Sequence, residues 1–398
     1  MKRWVGAWIL GVLWSLCAIQ FAVGGEVAQA GPAQLGTAGA AAAREAQDRR
    51  VDQVALAAQQ DAVEKLRKMT ARYRGTSQEP VFLARLAEFE LQSAALLFRI
   101  GQGKGTDLKA YGARMKEAIG TLSQLIDRSP SYPELAAVLF SRGKAREEIE
   151  LKADATRDYL RLARDFPEAP EVLPAYMSLA AFAAEANQHG QSVKYLRKVE
   201  ARPDSPYYPF ALYKLAWSHY NLKEVTPALS YVAKHASYYE GRSSSADQAF
   251  RENMLMDSAV FFFEGFEQKK PEYAVGTALA LYRTFNPGEL MGRMMAKTAK
   301  LLRSHSHDTE LLVFKDQVLR EEGDRPEALD VLTIAYEHHE NHRRFKEMIA
   351  IAQDMGRLYS LHPFYEGFKT ARKILLGTAE KLQGLVVKNK GAKGVREL

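Results

Sequence analysis

Three histidines near the end of the chain, His338, His339 and His342, have the spacing closest to that of a metal site. His338 and His342 lie four residues apart, which places both imidazoles on one face of a helix. Zinc needs at least a third ligand, and the order His-His-Glu-Asn-His differs from the His-Glu-x-x-His of a metalloprotease. We therefore predict a polar helix end, where cationic histidines suit the C-terminal dipole, with no metal and no cofactor.

Other catalytic patterns have no counterpart in the sequence. The chain carries no Gly-x-Ser-x-Gly elbow and no phosphate-binding glycine loop. Its single cysteine, Cys17, lies in the apolar run at the N-terminus, so the rest of the chain has no thiol nucleophile and no disulfide. We therefore predict that the chain is not an enzyme.

An aromatic face on the segment 207–221 is a candidate binding surface. Its rings recur at helical spacing, beside a second face that includes Leu212, Leu215 and His219. Aromatic side chains exposed together would supply binding hot spots, whereas rings packed against the adjacent repeat would be core. Both readings stay open. The predicted partner-binding residues are Phe210, Tyr213, Trp217, Tyr220 and Asn221.

Evenly spaced proline clusters indicate the elements that hold these residues. Pro-x-x-Pro sequences begin at Pro130, Pro167 and Pro203, so they are 37 and then 36 residues apart. Each cluster follows one stretch of helical apolar spacing and precedes another, so it ends one helix and starts the next. A fixed period in this range indicates stacked helical hairpins, which we place at 131–166, 168–202 and 205–240.

The hairpins resemble tetratricopeptide (TPR) repeats over residues 131–240. Leu215-Ala216 stands where that family shows Leu-Gly, and Ala228-Leu229-Ser230-Tyr231 stands where it shows Ala-Leu-x-Tyr. The sequence departs from the family at Arg142, where a leucine is usual, and at His219, where an aromatic residue is usual. The small residues that the resemblance assigns to helix crossings are Gly143, Ala155, Ala180, Ala216 and Ala228.

The resemblance implies an all-α fold, a right-handed superhelix of antiparallel helix pairs whose concave groove binds a protein partner. Pattern and composition extend this plan along the chain. No stretch alternates with a period of two, so no sheet is expected. The expected segments are a signal peptide (1–30), a flexible leader (31–40), a long helix acting as a cap or short coiled coil (41–75), TPR-like repeats (79–240), degenerate TPR-like helix pairs (246–360, with helices at 246–266, 271–285, 308–322 and 325–338), a capping helix (361–384) and a basic disordered tail (385–398).

The N-terminus predicts export. Met1-Lys2-Arg3 precedes an apolar run from Trp4 to Val23, and Ala28-Gln29-Ala30 fits a cleavage site after Ala30. The mature chain would then begin at Gly31 and be periplasmic or secreted. The alternative is an uncleaved membrane anchor, because the run approaches the ~20 residues that span a bilayer.

Charge distribution separates the classes of partner. The formal net charge is +7, and residues 381–398 alone carry +4, so the body is nearly neutral and lacks the basic stripe that nucleic acid requires. The tail suits weak contact with an anionic surface. We therefore expect a non-catalytic exported scaffold that binds a cell-envelope protein. The alternative is a peptidoglycan- or glycan-linked enzyme or binder built on an α-superhelix.

Overall fold

The computed structural model describes residues 35–101, 109–242, 244–362, 365 and 368–388. Within these ranges the chain forms α-helices and short 3₁₀-helices without any β-strand, which confirms the predicted all-α solenoid of helix pairs. The chain divides into two compact units, unit 1 up to Phe182 and unit 2 from Ala183. The predicted signal peptide and residues 389–398 of the predicted tail lie outside the described residues.

Unit 1 is built from helices that pack on their neighbours in chain order. Its paired helices coincide within a few residues with the hairpin predicted at 131–166, because the proline corners stop one helix and open the next. The helices are α1 (Leu35–Arg72), α2 (Glu79–Gly101), α3 (Lys109–Arg128), α4 (Leu135–Glu148), α5 (Lys152–Asp165) and α6 (Val172–Glu185), the last of which crosses the unit boundary.

Helix α1 starts at Leu35, so the prediction of a flexible leader is wrong for residues 35–40. The helix packs along α2, and a buried polar network joins it to the next two helices. Glu90 is 1% exposed and accepts hydrogen bonds from Arg67 Nη2 at 2.9 Å and Thr121 Oγ1 at 2.7 Å. Because a buried carboxylate must be paired, this network fixes how α1 lies on the unit.

Unit 2 continues the succession of helices, and none of the described helices is both long and apolar enough to span a bilayer. Its last helix reaches Lys388, so the predicted disordered tail is helical over 385–388. The helices are α7 (His189–Glu200), α8 (Tyr208–Asn221), α9 (Val225–Tyr238), α10 (Ser245–Glu267), α11 (Ala278–Arg283), α12 (Met291–Ser304), α13 (Asp308–Glu322), α14 (Ala328–Asn341), α15 (Phe345–Leu361) and α16 (Phe368–Lys388).

The helix predicted over 271–285 is wrong for residues 271–277. The segment forms 3₁₀ turns at Pro271–Tyr273 and Val275–Thr277 before the short α11. Gln317 Nε2 donates a hydrogen bond to the Gly276 carbonyl at 2.8 Å, and Tyr273 is buried. A side chain from another helix therefore supplies a hydrogen bond to a backbone carbonyl that, in a regular helix, would bond within the helix itself.

Helix α12 occupies residues for which the sequence analysis proposed no element. Met291, Met294, Met295 and Leu302 are each 2% exposed or less, so one face of the helix is core. Met294 and Met295 follow Met291 by three and four residues, and Leu302 follows Met295 by seven. This helical periodicity was the sequence signal for the helix. Methionines fill irregular core space as readily as branched residues do, and they made the apolar face less conspicuous.

One turn geometry recurs at the end of the first helix of each hairpin from α4–α5 onward. At the α4–α5 turn, Glu150 has a φ of 62°, its N–H donates to the Glu147 carbonyl, and the Leu151 N–H donates to the Arg146 carbonyl at 2.8 Å. This is the Schellman arrangement, with a left-handed residue two positions after the helix ends. Equivalent left-handed residues among those described are Glu150, Asn187, Lys223, Lys269, Ser306 and Arg343.

These turn residues extend the repeat beyond the part that resembles the TPR family. Their successive spacings are 37, 36, 46, 37 and 37 residues. The single longer step contains α10, which has 23 residues where α8 has 14. The degenerate region predicted from residue 246 onward therefore keeps the same hairpin period.

The small residues that the resemblance assigns to helix crossings have little space around them in the structure. A Cβ added to Gly143 would lie 2.5 Å from the Tyr159 ring, far inside van der Waals contact. The four predicted alanines are 1% exposed or less: Ala155, Ala180, Ala216 and Ala228.

Ala180→Leu and Ala216→Leu are each expected to lower the free energy of unfolding by about 1–3 kcal/mol, because the added methylenes enter a closed crossing. Urea titration followed by circular dichroism would measure the change. Ala249→Leu, at an exposed position of α10, is the matched control. Wild-type stability in both crossing variants would contradict the hairpin register.

Candidate functional site

The predicted aromatic face of α8 lies against α10. Trp217 Nε1 donates a hydrogen bond to Asp257 Oδ2 at 3.2 Å, and the Tyr213 hydroxyl donates to the same oxygen at 3.0 Å. Burial and the adjacent carboxylate raise the pKa of Tyr213 to about 12, so its hydroxyl remains protonated and able to donate. Asp257 thus joins the two helices through two aromatic donors.

Ring contacts reinforce this seam between α8 and α10. Trp217 and Tyr220 both contact Phe261, with ring centroids 5.1 Å and 5.2 Å apart, and Phe210 contacts Phe250 at 5.1 Å. Such aromatic pairs stabilise a packed interface. The rings therefore pack on α10, the first helix of the adjacent hairpin, as in the second of the two interpretations of this face.

The outer edge of the aromatic face remains accessible. Phe210 is 40% exposed, and Asn221 is exposed while its Nδ2 donates to the Trp217 carbonyl at 2.9 Å. A partner could contact these two residues without disturbing the seam. Partner binding by this face stays a prediction, and substitutions of the exposed residues Phe210 and Asn221 would test it.

A deeper groove lies in unit 1, where no functional site was predicted. It is an open cavity formed mainly by α2 and α4, the first helices of their hairpins, with α3 behind them. Its floor includes Met115 and Leu122, which are 4% and 3% exposed. Ligand grooves in proteins combine such an apolar floor with a few polar groups.

Small residues leave the space that becomes the groove. On α4, Ala137, Ser141 and Ala145 follow one another at intervals of four, so they lie on one helix face, and α2 contributes Ala84, Ala87 and Ala95. Larger side chains at these positions would fill the cavity. The recurrence of small residues at every fourth position of α4 was the sequence signal that could have predicted the groove.

The polar part of the lining is acidic. Glu134, Glu148 and Glu88 contribute to it, Glu88 being paired with Arg85 at 2.8 Å, and none of the lining residues that the structure describes is a lysine or arginine. Tyr111 lies in the same wall, and burial together with the Glu148 carboxylate raises its pKa to about 12. The groove therefore offers apolar contact, carboxylates and a phenolic hydroxyl that stays protonated near neutral pH.

No protein-family model and no curated protein matches this chain. Among solved structures, it is similar to the C-terminal part of a TPR repeat-containing protein from Cytophaga hutchinsonii, at 12% identity, covering 82% of this chain and 99% of that one, with a TM-score of 0.41. It is similar to BtubC from P. vanneervenii, at 14% identity, covering 59% and 92%, with a TM-score of 0.40. It is also similar to a tetratricopeptide repeat protein from Parabacteroides merdae, at 12% identity, covering 74% of this chain and 98% of that one, with a TM-score of 0.33. At such values the likenesses carry no conclusion about function.

Proposed function

We propose that this chain is a non-catalytic, exported scaffold that binds a cell-envelope protein in the groove of unit 1. The observation that supports this proposal most directly is the groove itself, an open cavity with a mainly apolar lining between the first helices of two successive hairpins. A solenoid of helix pairs presents such a surface to a peptide segment or a helix. The lining suits binding, because it combines an apolar floor with polar side chains.

The acidic lining favours a partner segment that combines apolar anchors with basic residues. Apolar side chains would displace water from the floor formed by Met115 and Leu122. Lysine or arginine flanking those anchors would lie near Glu134 and Glu148, and complementary charge speeds association and excludes acidic competitors. A glycan, whose many hydroxyls each need a hydrogen-bond partner, fits this apolar lining poorly.

Export is supported by the sequence alone, and a partner in the cell envelope is proposed because it would share that compartment. The basic start, the apolar run to Val23 and the triplet Ala28-Gln29-Ala30 have the order of a signal peptide. A chain without any thiol after Cys17 suits an oxidising compartment, because no pairing of cysteines is needed for its stability.

Ala137→Arg is expected to weaken partner binding at least tenfold while leaving the fold intact. Ala137 is half-buried in the groove wall, so the long side chain can extend along the channel, where its charge offsets the glutamates. A protein captured from envelope extract by the wild-type chain would be identified, purified and titrated against both forms. Circular dichroism would check folding.

Ala113→Arg, at an exposed position of α3 outside the groove, is the matched control and should bind as the wild type does. Equal affinity of the Ala137→Arg variant and the wild type would remove the groove from the binding site. Release of sugar fragments from purified peptidoglycan by the wild-type chain would contradict the non-catalytic scaffold and favour a glycan-linked enzyme.

A further inference from the structure

The structure supplies a third potential ligand for the two histidines that the sequence places on one helix face. Asp308, the first residue of α13, lies beside the C-terminal end of α14, which carries His338 and is followed by His342. One ligand atom from each of these residues lies within 4.8 Å of the other two. Thirty residues of chain separate Asp308 from His338, so only the fold brings them together.

His338 turns one ring nitrogen toward Asp308. His338 is 3% exposed, and its Nδ1 is the ring atom that faces Asp308, at 3.1 Å from Asp308 Oδ1. Two ligands on a tetrahedral zinc ion, each bonded at about 2.0–2.1 Å, stand at roughly this separation. The Asp308–His338 pair therefore needs little movement to share an ion.

His342 is held in a suitable tautomer. Its Nδ1–H donates a hydrogen bond to the His338 carbonyl at 2.8 Å, and a carbonyl can only accept, so Nδ1 carries the proton. In the neutral ring the lone pair then lies on Nε2. A backbone carbonyl that orients a metal-binding histidine in this way is a common arrangement around protein metal sites.

We propose that Asp308, His338 and His342 form a binding site for a divalent transition-metal ion of the zinc class. Two imidazoles and one carboxylate are ligands that zinc accepts, whereas magnesium and calcium prefer oxygen atoms alone. The exposed His342 gives the ion access from solvent, and a fourth position is left for water or a partner's side chain. The ion would join the start of α13 to the end of α14.

The test is a titration of the full chain, produced without a polyhistidine tag, with Zn²⁺ in competition with a chromophoric chelator. The wild type should bind one ion per chain and melt at a higher temperature with Zn²⁺ than without it. His342→Ala should bind Zn²⁺ at least tenfold more weakly. Without metal it should have the melting temperature of the wild type, because His342 is exposed. Asp308→Asn should also bind Zn²⁺ more weakly than the wild type. Mg²⁺ should leave the melting temperature of the wild type and of both variants unchanged.

His305→Ala is the matched control. His305 Nδ1 donates to the Leu301 carbonyl four residues earlier at 3.0 Å, as His342 does to His338, but His305 belongs to no candidate ligand group in the described part of the chain. This variant should retain wild-type zinc affinity. A wild-type chain that binds no Zn²⁺, a His342→Ala variant that binds as tightly as the wild type, or an equal loss in His305→Ala would overturn the site.

Discussion

Asp158→Ala is expected to lower the free energy of unfolding by about 3–5 kcal/mol, because it leaves buried positive charge without a partner. Asp158 is 2% exposed and receives two hydrogen bonds from Arg142, at 3.0 Å and 2.6 Å. Arg146 Nη1 donates a third at 2.6 Å. Denaturant unfolding of the wild type and the variant would measure the loss.

Asp165→Ala, at the exposed end of the same helix, is the control for this prediction. Asp165 pairs with Arg164 at 2.7 Å in solvent, where an ion pair contributes little to stability, so Asp165→Ala should unfold almost as the wild type does. Adding Arg142→Met to Asp158→Ala should restore part of the lost stability, since it removes one of the two uncompensated charges. The proposed role of Asp158 would be abandoned if Asp158→Ala and Asp165→Ala proved equally stable.

Trp217→Ala is expected to cost about 3 kcal/mol of stability, the low end of the range for truncating a packed aromatic residue. The substitution removes a ring that contacts Phe261 and a hydrogen bond to Asp257, and it leaves a gap between α8 and α10. Thermal unfolding would show the loss, and a binding titration at a temperature where the variant is folded would show what the ring contributes to partner affinity.

Asn221→Ala, one helical turn further along α8, should change stability by no more than about 0.5 kcal/mol, because Asn221 is exposed and bonds only within its own helix. A Trp217→Ala variant with wild-type stability and binding weakened by about 2 kcal/mol would instead show that the aromatic face is an open binding surface.

The helical hairpins could be predicted because their signals are local. Proline fixes a backbone angle and removes a donor, so clusters at Pro130, Pro167 and Pro203 mark helix boundaries in any context. The segment 271–285 could not be predicted in the same way. Gln317, more than 30 residues away, supplies the hydrogen bond that allows its backbone to leave the helical path.

Departures from the TPR pattern have explanations that only the fold could reveal. Arg142, which stands where a leucine is usual, is neutralised by Asp158 on the facing helix. His219, which stands where an aromatic residue is usual, stacks on Tyr231 with ring centroids 5.4 Å apart and hydrogen-bonds to Glu224 at 2.6 Å. Each unusual residue has a partner on the next helix, which a pattern read along one helix does not show.

The recurring left-handed turn also bears on how fast the chain folds. Each turn is closed by hydrogen bonds between residues three and five positions apart, and the helices on either side of most turns pack on each other. Folding is fast where contacts are close in sequence, and in arrays of repeats it can begin in any unit and spread to the next. The chain therefore has several equivalent places at which folding can start. A substitution that disables one hairpin turn would slow folding locally and leave the remaining turns as starting points.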